Sequence, residues 1–215
     1  MSAPTDHHTS VFSDESLRQL ALHGNARAYP KGAVIINEGD VGDSLFMILA
    51  GRVKVYVGDD SGREMILDTL GAGDYVGEMT LDGGPRSASV MCLEPTSFSI
   101  ITRQVLRQAI SANPDLALGL ISTLISRARL ATCLVRDLAL LDVYGRVARL
   151  LLQLATEQVD GTSIILERLT QQDIADRVGA SRDMVNRVFK DLVTGGYVSV
   201  ANRQIKLHRK PPARW

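Results

Sequence analysis

Residues 75–90 read YVGEMTLDGGPRSASV. The stretch places an acid, a base, a hydroxyl and three glycines within a few residues of one another. Gly77 has no side chain to block the close approach of a bound group. Glu78 is a carboxylate suited to accepting hydrogen bonds from sugar hydroxyls. Arg86 is a permanent cation whose planar fork matches a phosphate, and Ser87 adds a hydroxyl donor. The turn Asp82-Gly83-Gly84-Pro85 has backbone N–H groups to offer an anion. An anion joined to a sugar is what a nucleotide presents. Taken singly, a Glu or an Arg in such a segment is most often solvated or part of a surface ion pair. The reading therefore rests on the string as a unit.

Working outward, residues from Ala26 to about Thr102 form short β-rich runs: Val34–Ile36, Ser44–Leu49, Val53–Val57, Met65–Leu70, Ser89–Met91 and Ser97–Ile101. Glycine turns separate them, at Lys31-Gly32, Gly39-Asp40, Gly51, Gly58-Asp59-Asp60 and Gly71-Ala72-Gly73-Asp74. Val53, Val55 and Val57 alternate with Lys54 and Tyr56, as a half-buried strand requires. This spacing predicts an antiparallel barrel or jelly roll, and with the helical second half of the chain an α+β fold. Before it, residues 1–10 read as a disordered start, in which the pair His7-His8 reads as solvated rather than metal-binding, and Ser13-Asp14-Glu15-Ser16 as a helix start.

Gly77-Glu78, apolar filler, then Pro85-Arg86-Ser87-Ala88 closely resembles the phosphate-binding cassette of cyclic-nucleotide-binding domains. The resemblance implies that Arg86 and Ser87 hold the cyclic phosphate and Glu78 the ribose 2′-hydroxyl, with Gly77, Met79 and Ala88 beside them. The register of the turns Gly39-Asp40, Gly51 and Gly73-Asp74 is similar to that family's β-roll.

Asn113-Pro114-Asp115 predicts a helix start, from cap, proline and dipole-complementing acid, and the helix is expected to run to about Leu141. Ile121, Leu124, Ala128, Ala131, Val135 and Leu138 recur in steps of three and four, the seam of a coiled-coil dimer. A second stripe, Leu116, Leu120, Leu130, Leu134 and Leu141, is expected to pack on the β-domain. Asp142 breaks the apolar run, caps a helix from Val143 to about Glu157, and marks a hinge. A short strand, Ile164–Leu166, follows the loop after it.

Residues 170–192, TQQDIADRVGASRDMVNRVFKDL, have the punctuation of two short helices. Thr170 and Asp173 open the first as a capping box, Gly179 ends it, and Ser181 caps the second. Ile174, Ala175, Val178, Val185, Val188, Phe189 and Leu192 face inward, as a helix-turn-helix demands. The opposite face shows Arg182, Asp183, Asn186, Arg187 and Lys190, which together with Thr170 and Ser181 are the candidates for contacts to base edges and phosphates in a major groove. Tyr197–Leu207 reads as a hairpin turning near Asn202, which makes the module a winged helix, and the tail from His208 is basic.

From about residue 26 to 207 the chain resembles the cyclic AMP receptor/fumarate-nitrate regulator (CRP/FNR) family of bacterial transcription factors. That implies a β-roll domain (1–112), a dimerisation helix (113–141) and a winged helix-turn-helix (142–215). It implies base reading by Arg182, Asp183 and Arg187, with Asp183 in place of a Glu found in many members. Counting back from Asp142 and Gly145-Arg146, it places Ala131 and Thr132 where the effector's base is met. The implied effector is a cyclic nucleotide, cyclic AMP first, with cyclic GMP or cyclic di-GMP as alternatives. The implied partners are double-stranded DNA, a second copy of the chain and RNA polymerase.

Charge agrees with that division. The chain is formally neutral, but residues 1–160 carry −5 and residues 161–215 carry +5, so the C-terminal part is the one suited to a polyanion. Cys92 and Cys133 have no partner at metal-ligand spacing, which fits a reducing compartment and predicts no metal. The polar start predicts no signal peptide, and the stretch from Asp115 to Ile125, soon followed by Arg127 and Arg129, predicts no membrane span and a cytoplasmic protein. An enzyme acting on a cyclic nucleotide, with Glu78 as general base, is the competing reading. It has one carboxylate, no metal cluster and no paired nucleophile, and leaves the helix-turn-helix unexplained.

Overall fold

The computed structural model describes residues 15–158, 161–201 and 204–212. It forms two compact units. One holds residues up to Val57 together with Leu67–Arg129; the other holds Gly58–Ile66 and residues from Leu130 on.

The chain up to residue 102 opens with α1 (Glu15–Leu22) and then builds eight strands, which lie in the first unit except for residue 58 and residues 64–66: β1 (Asn25–Tyr29), β2 (Val34–Ile36), β3 (Ser44–Ala50), β4 (Arg52–Gly58), β5 (Glu64–Gly71), β6 (Tyr75–Val76), β7 (Ser89–Cys92) and β8 (Thr96–Thr102). They form two four-stranded sheets, ordered β1-β8-β3-β6 and β2-β7-β4-β5. The pairings that join β8 to β1 and β3, and β7 to β2 and β4, are antiparallel, as the turn-rich sequence predicts. Strand alternation explains the layering. Ile48 of β3 faces a core shared by both sheets, with Ile36, Val53, Leu70, Val76, Val90 and Phe98. Leu45 and Met47 of the same strand face a second core with Leu17, Leu20, Tyr75, Ile101 and Leu106. Leu106 lies on α2 (Arg103–Ala112), which is capped by the Thr102 hydroxyl.

Two strands and a helix went unassigned in the sequence. β1 is an edge strand of small and polar residues with four of its five exposed, β6 has only two residues, and α2 is a ten-residue helix whose apolar face is only Val105, Leu106, Ala109 and Ile110. The expected helix start at Ser13-Asp14 and the polar residues before it, His7 and His8 included, lie outside the described residues.

The long helix α3 spans Asp115–Leu140, with the Asn113 side chain accepting from the Asp115 N–H at its start. Of its expected second stripe, Leu116 and Leu120 are buried in the helix-side core, whereas Leu130 is 49% exposed. The seam residues Ile121, Leu124, Val135 and Leu138 are exposed. By length and composition alone α3 is long and apolar enough to cross a membrane, with a mean hydropathy of 1.4 over its most apolar 18 residues. Leucine and isoleucine raise that mean although Gly, Ser and Thr interrupt every short run.

In the second unit α4 covers Val143–Leu154, with the Asp142 carboxylate accepting from the Gly145 N–H at 2.7 Å. The helix ends sooner than expected, because Ala155–Glu157 leaves it as β9 to pair with β10 (Ser163–Ile165). After α5 (Gln171–Val178) and α6 (Arg182–Thr194), β11 (Val198–Ala201) and β12 (Gln204–Leu207) complete a sheet ordered β11-β12-β10-β9. The expected turn at Asn202 lies outside the described residues. Tyr144, Val147, Leu151, Ile174, Val178, Val185, Phe189 and Leu192 form the core of this unit with Ile165, Val198, Ile205 and Leu207.

Candidate functional site

In the first unit β6 delivers the chain to Gly77, which has a φ of 86°, a conformation that glycine adopts without strain. The turn that follows is a short 3₁₀ helix, Glu78–Leu81. A Cβ on Gly77 would sit 2.8 Å from Arg86 Nη1 and 2.9 Å from the Ser44 carbonyl oxygen. The glycine is therefore required twice, by its backbone angle and by the space Arg86 occupies. Gly77→Ala is expected to lower the melting temperature, from about 1–2 kcal/mol of left-handed strain plus the clash, and to displace Arg86. Melting curves and nucleotide calorimetry check both effects.

Arg86 is 6% exposed. Its Nη1 donates to the Gly77 carbonyl at 2.5 Å and its Nη2 to the Ser44 carbonyl at 2.7 Å. Burial lowers the guanidinium's pKa from its ordinary value, while the carboxylates of Glu78 and Asp43 act to raise it. It remains a cation at neutral pH. A Cβ on Gly42 would come within 2.5 Å of Arg86 Nη2, so Gly42 packs directly on the guanidinium. Gly42 also lines a more open cavity of about 260 Å³ with Val41, Asp43, Gly83 and Arg103.

Arg86, Glu78, Gly77, Met79, Ser87 and Ala88 line one cavity, so the sequence-predicted cassette residues do converge. Its remaining walls are apolar, from Ile36, Val55, Val76 and Val90. The cavity measures about 50 Å³, well below the ~300–1,000 Å³ usual for ligand pockets. The last lining residue, Arg127 of α3, was not anticipated as part of the site. Its Nη1 pairs with Glu78 Oε2 at 2.8 Å, with both side chains largely shielded from solvent. In the sequence Arg127 is visible only as a charge interrupting an apolar helix, and nothing local connects it to Glu78.

Two expectations fare differently. The Gly84 N–H, read as free for an anion, donates instead to the Asp82 carboxylate at 2.8 Å. An aspartate two residues back satisfies its own turn before any ligand can. Ala131 and Thr132 are exposed on α3 one turn beyond Arg127 and are not among the residues lining the cavity. Among the described residues no group of three His, Cys, Asp or Glu is placed to hold a metal.

The second unit carries the other candidate surface. Thr170 and Asp173 make a complete capping box: the Asp173 N–H donates to the Thr170 hydroxyl at 3.1 Å and the Thr170 N–H to the Asp173 carboxylate at 2.7 Å. Thr170→Ala is expected to cost about 1 kcal/mol and to lower the melting point of this unit by roughly 4–8 °C, measurable by calorimetry. Gly179 ends α5 at a φ of 61°. Arg146 Nε reinforces that end by donating to the Val178 carbonyl at 2.8 Å. Ser181 caps α6 by accepting from the Met184 N–H. With Val185, Val188, Phe189 and Leu192 buried, helical geometry leaves Arg182, Asp183, Arg187 and Lys190 exposed and Asn186 half-buried on the other side.

Two family models match the chain. Residues 26–113 match the family model of the cyclic nucleotide-binding domain, and residues 145–211 match that of the Crp-like helix-turn-helix domain. The chain is 34% identical over 203 residues to the cAMP-activated global transcriptional regulator CRP of Salmonella typhimurium, covering 91% of this chain and 95% of that protein. It is also 34% identical over 181 residues to a CRP-like cAMP-activated global transcriptional regulator of Mycobacterium tuberculosis, covering 82% and 81%. A solved structure of the c-di-GMP responsive global regulator CLP of Xanthomonas campestris superposes with a TM-score of 0.79 at 26% identity, covering 91% of this chain and 99% of that one. These relatives are regulators and not enzymes, which sets aside the reading of Glu78 as a general base. The chain belongs to the CRP/FNR family of transcription regulators, with a cyclic nucleotide-binding domain followed by a DNA-binding helix-turn-helix.

Proposed function

We propose that the protein is a dimeric, cytoplasmic transcription regulator whose DNA affinity is set by a cyclic mononucleotide, cyclic AMP first. The observation that carries the reading is the convergence of Glu78, Arg86, Ser87 and Arg127 on one cavity with apolar walls. Arg86 and Ser87 take the phosphate, and Glu78 takes a ribose hydroxyl. The charged side chains sum to one positive charge, which matches the single negative charge of a cyclic mononucleotide. A cyclic dinucleotide carries two, which makes cyclic di-GMP, the effector named for the Xanthomonas relative, the second reading. Because the cavity is small, binding has to move side chains, with the two carbonyl contacts of Arg86 exchanged for contacts to phosphate.

Dimerisation uses the exposed seam of α3, Ile121, Leu124, Val135 and Leu138. From it Ala131 and Thr132 meet the base of the nucleotide, where Thr132 supplies a hydroxyl and Ala131 no polar group. Asp142 is the hinge at the start of α4. Only one arrangement of the two α6 helices sets them one DNA turn apart, ~34 Å, so an effector that favours it raises DNA affinity. RNA polymerase is the further partner.

A thermal-shift panel of cyclic AMP, cyclic GMP and cyclic di-GMP tests the assignment. A ligand at about 100 times its Kd adds roughly 2.7 kcal/mol to folding stability. The expected order is cyclic AMP above cyclic GMP above cyclic di-GMP. A shift confined to cyclic di-GMP selects the second reading.

A further inference from the structure

Tyr75 is a buried polar side chain beside the cassette, 2% exposed and packed in the helix-side core with Leu116 and Leu120. Its hydroxyl donates to the Leu120 carbonyl of α3 at 3.3 Å, beside the Thr123 hydroxyl, which donates to the Gly119 carbonyl. Arg127, two turns past Leu120, lies over the Tyr75 ring at 5.1 Å from its centroid and donates to the Tyr75 backbone carbonyl. One residue thus grips Leu120 and Arg127 and lies beside Thr123, three positions that share a helix face by their spacing of three and four. The same Arg127 pairs with Glu78. Packing does not require the hydroxyl, since a phenylalanine fills nearly the same space. The Leu120 carbonyl lies inside a helix, where the residue four positions on supplies its regular donor. A buried hydroxyl is costly unless hydrogen-bonded, so what this one contributes is its attachment to α3.

We infer that Tyr75 is a positioning residue of the effector site, fastening α3 to the cassette so that Arg127 holds and neutralises Glu78. The inference rests on the cyclic-nucleotide reading of that site. An unpaired Glu78 would repel the phosphate that Arg86 has to bind. With Arg127 on Oε2, the charge is balanced and the other carboxylate oxygen remains available to a ribose hydroxyl. The arrangement also works in reverse. Nucleotide binding at Glu78 acts on Arg127 and so on α3, the helix that carries the exposed apolar seam.

The test uses the full chain with Tyr75→Phe, Arg127→Gln and the double variant, titrated with cyclic AMP and cyclic GMP by calorimetry. Hydrogen exchange of α3 is measured on the same proteins without nucleotide. Tyr75→Phe is expected to weaken cyclic AMP binding about three- to tenfold, the worth of one hydrogen bond. Amides from about Leu120 to Leu124 should exchange at least threefold faster, on the order of the same effect. In the Arg127→Gln background the added change in affinity should fall below about twofold, because the two residues act through one contact. Equal losses in both backgrounds would overturn the positioning role, as would unchanged exchange and affinity in a folded Tyr75→Phe protein. If the parent protein binds neither nucleotide, the effector assignment fails by itself. The exchange comparison then still decides whether Tyr75 fastens α3, and unchanged exchange refutes it.

Discussion

Arg86→Leu is expected to weaken cyclic-nucleotide binding by roughly ten- to hundredfold or more. A charge-assisted contact to phosphate is worth ~1.5–3 kcal/mol, and the cavity's other guanidinium, Arg127, is already paired with Glu78. The structure adds a second consequence. Arg86 is buried and donates to the carbonyls of Gly77 and Ser44, so leucine removes both of those hydrogen bonds, although the Gly77 carbonyl keeps the Thr80 N–H. Each lost hydrogen bond costs about 0.5–1.5 kcal/mol, so the melting temperature should fall along with the affinity. Arg86→Lys separates the two effects. It keeps the charge and one donor direction, and should retain more stability while still binding phosphate less well, because an ammonium lacks the fork. Calorimetry and melting curves on both variants check this. Parental affinity in a folded Arg86→Leu protein would remove the cassette from the account.

Arg187→Ala should have the largest effect on DNA recognition. Arg187 is exposed on α6, on the face opposite the buried Val185, Val188, Phe189 and Leu192. A bidentate arginine–base contact is worth ~1–3 kcal/mol, so a two-fold symmetric site would lose about 2–6 kcal/mol. The loss should fall mainly on the specific sequence. Lys190→Ala should instead weaken specific and random DNA alike, lowering the salt dependence by about one phosphate contact per subunit. Anisotropy titrations at two salt concentrations distinguish the two. Equal losses on specific and random DNA for Arg187→Ala would refute base reading by that residue.

What the sequence announced was whatever depends on neighbours along the chain. The capping box at Thr170 and Asp173, the left-handed Gly179 and the Ser181 cap are each set within four residues, and each is present. The convergence of Glu78 with Arg86 and Ser87 was legible because all three sit in one turn-linked string. What it concealed depends on distance. Arg127 reaches Glu78 only after α3 packs, by Leu116 and Leu120, on the helix-covered face of β3 and β8. Nothing near Arg127 in the sequence distinguishes it from Arg129. Tyr75 likewise carried no assigned element or role in the sequence, although its hydroxyl meets a helix carbonyl. β9 was absorbed into the preceding helix because Ala155-Thr156-Glu157 has no strand pattern of its own, and its pairing with β10 decides it.

The most direct test of the account is DNA binding to a two-fold symmetric site, with half-sites one helical turn apart, as a function of cyclic AMP. The protein should bind as a dimer, and saturating nucleotide should lower its Kd for that site by roughly five- to 150-fold, the span of ordinary allosteric coupling. Linkage then requires that the same DNA tighten cyclic AMP binding by the same factor. A DNA Kd unchanged by cyclic AMP, cyclic GMP and cyclic di-GMP alike would contradict effector control of the helix-turn-helix.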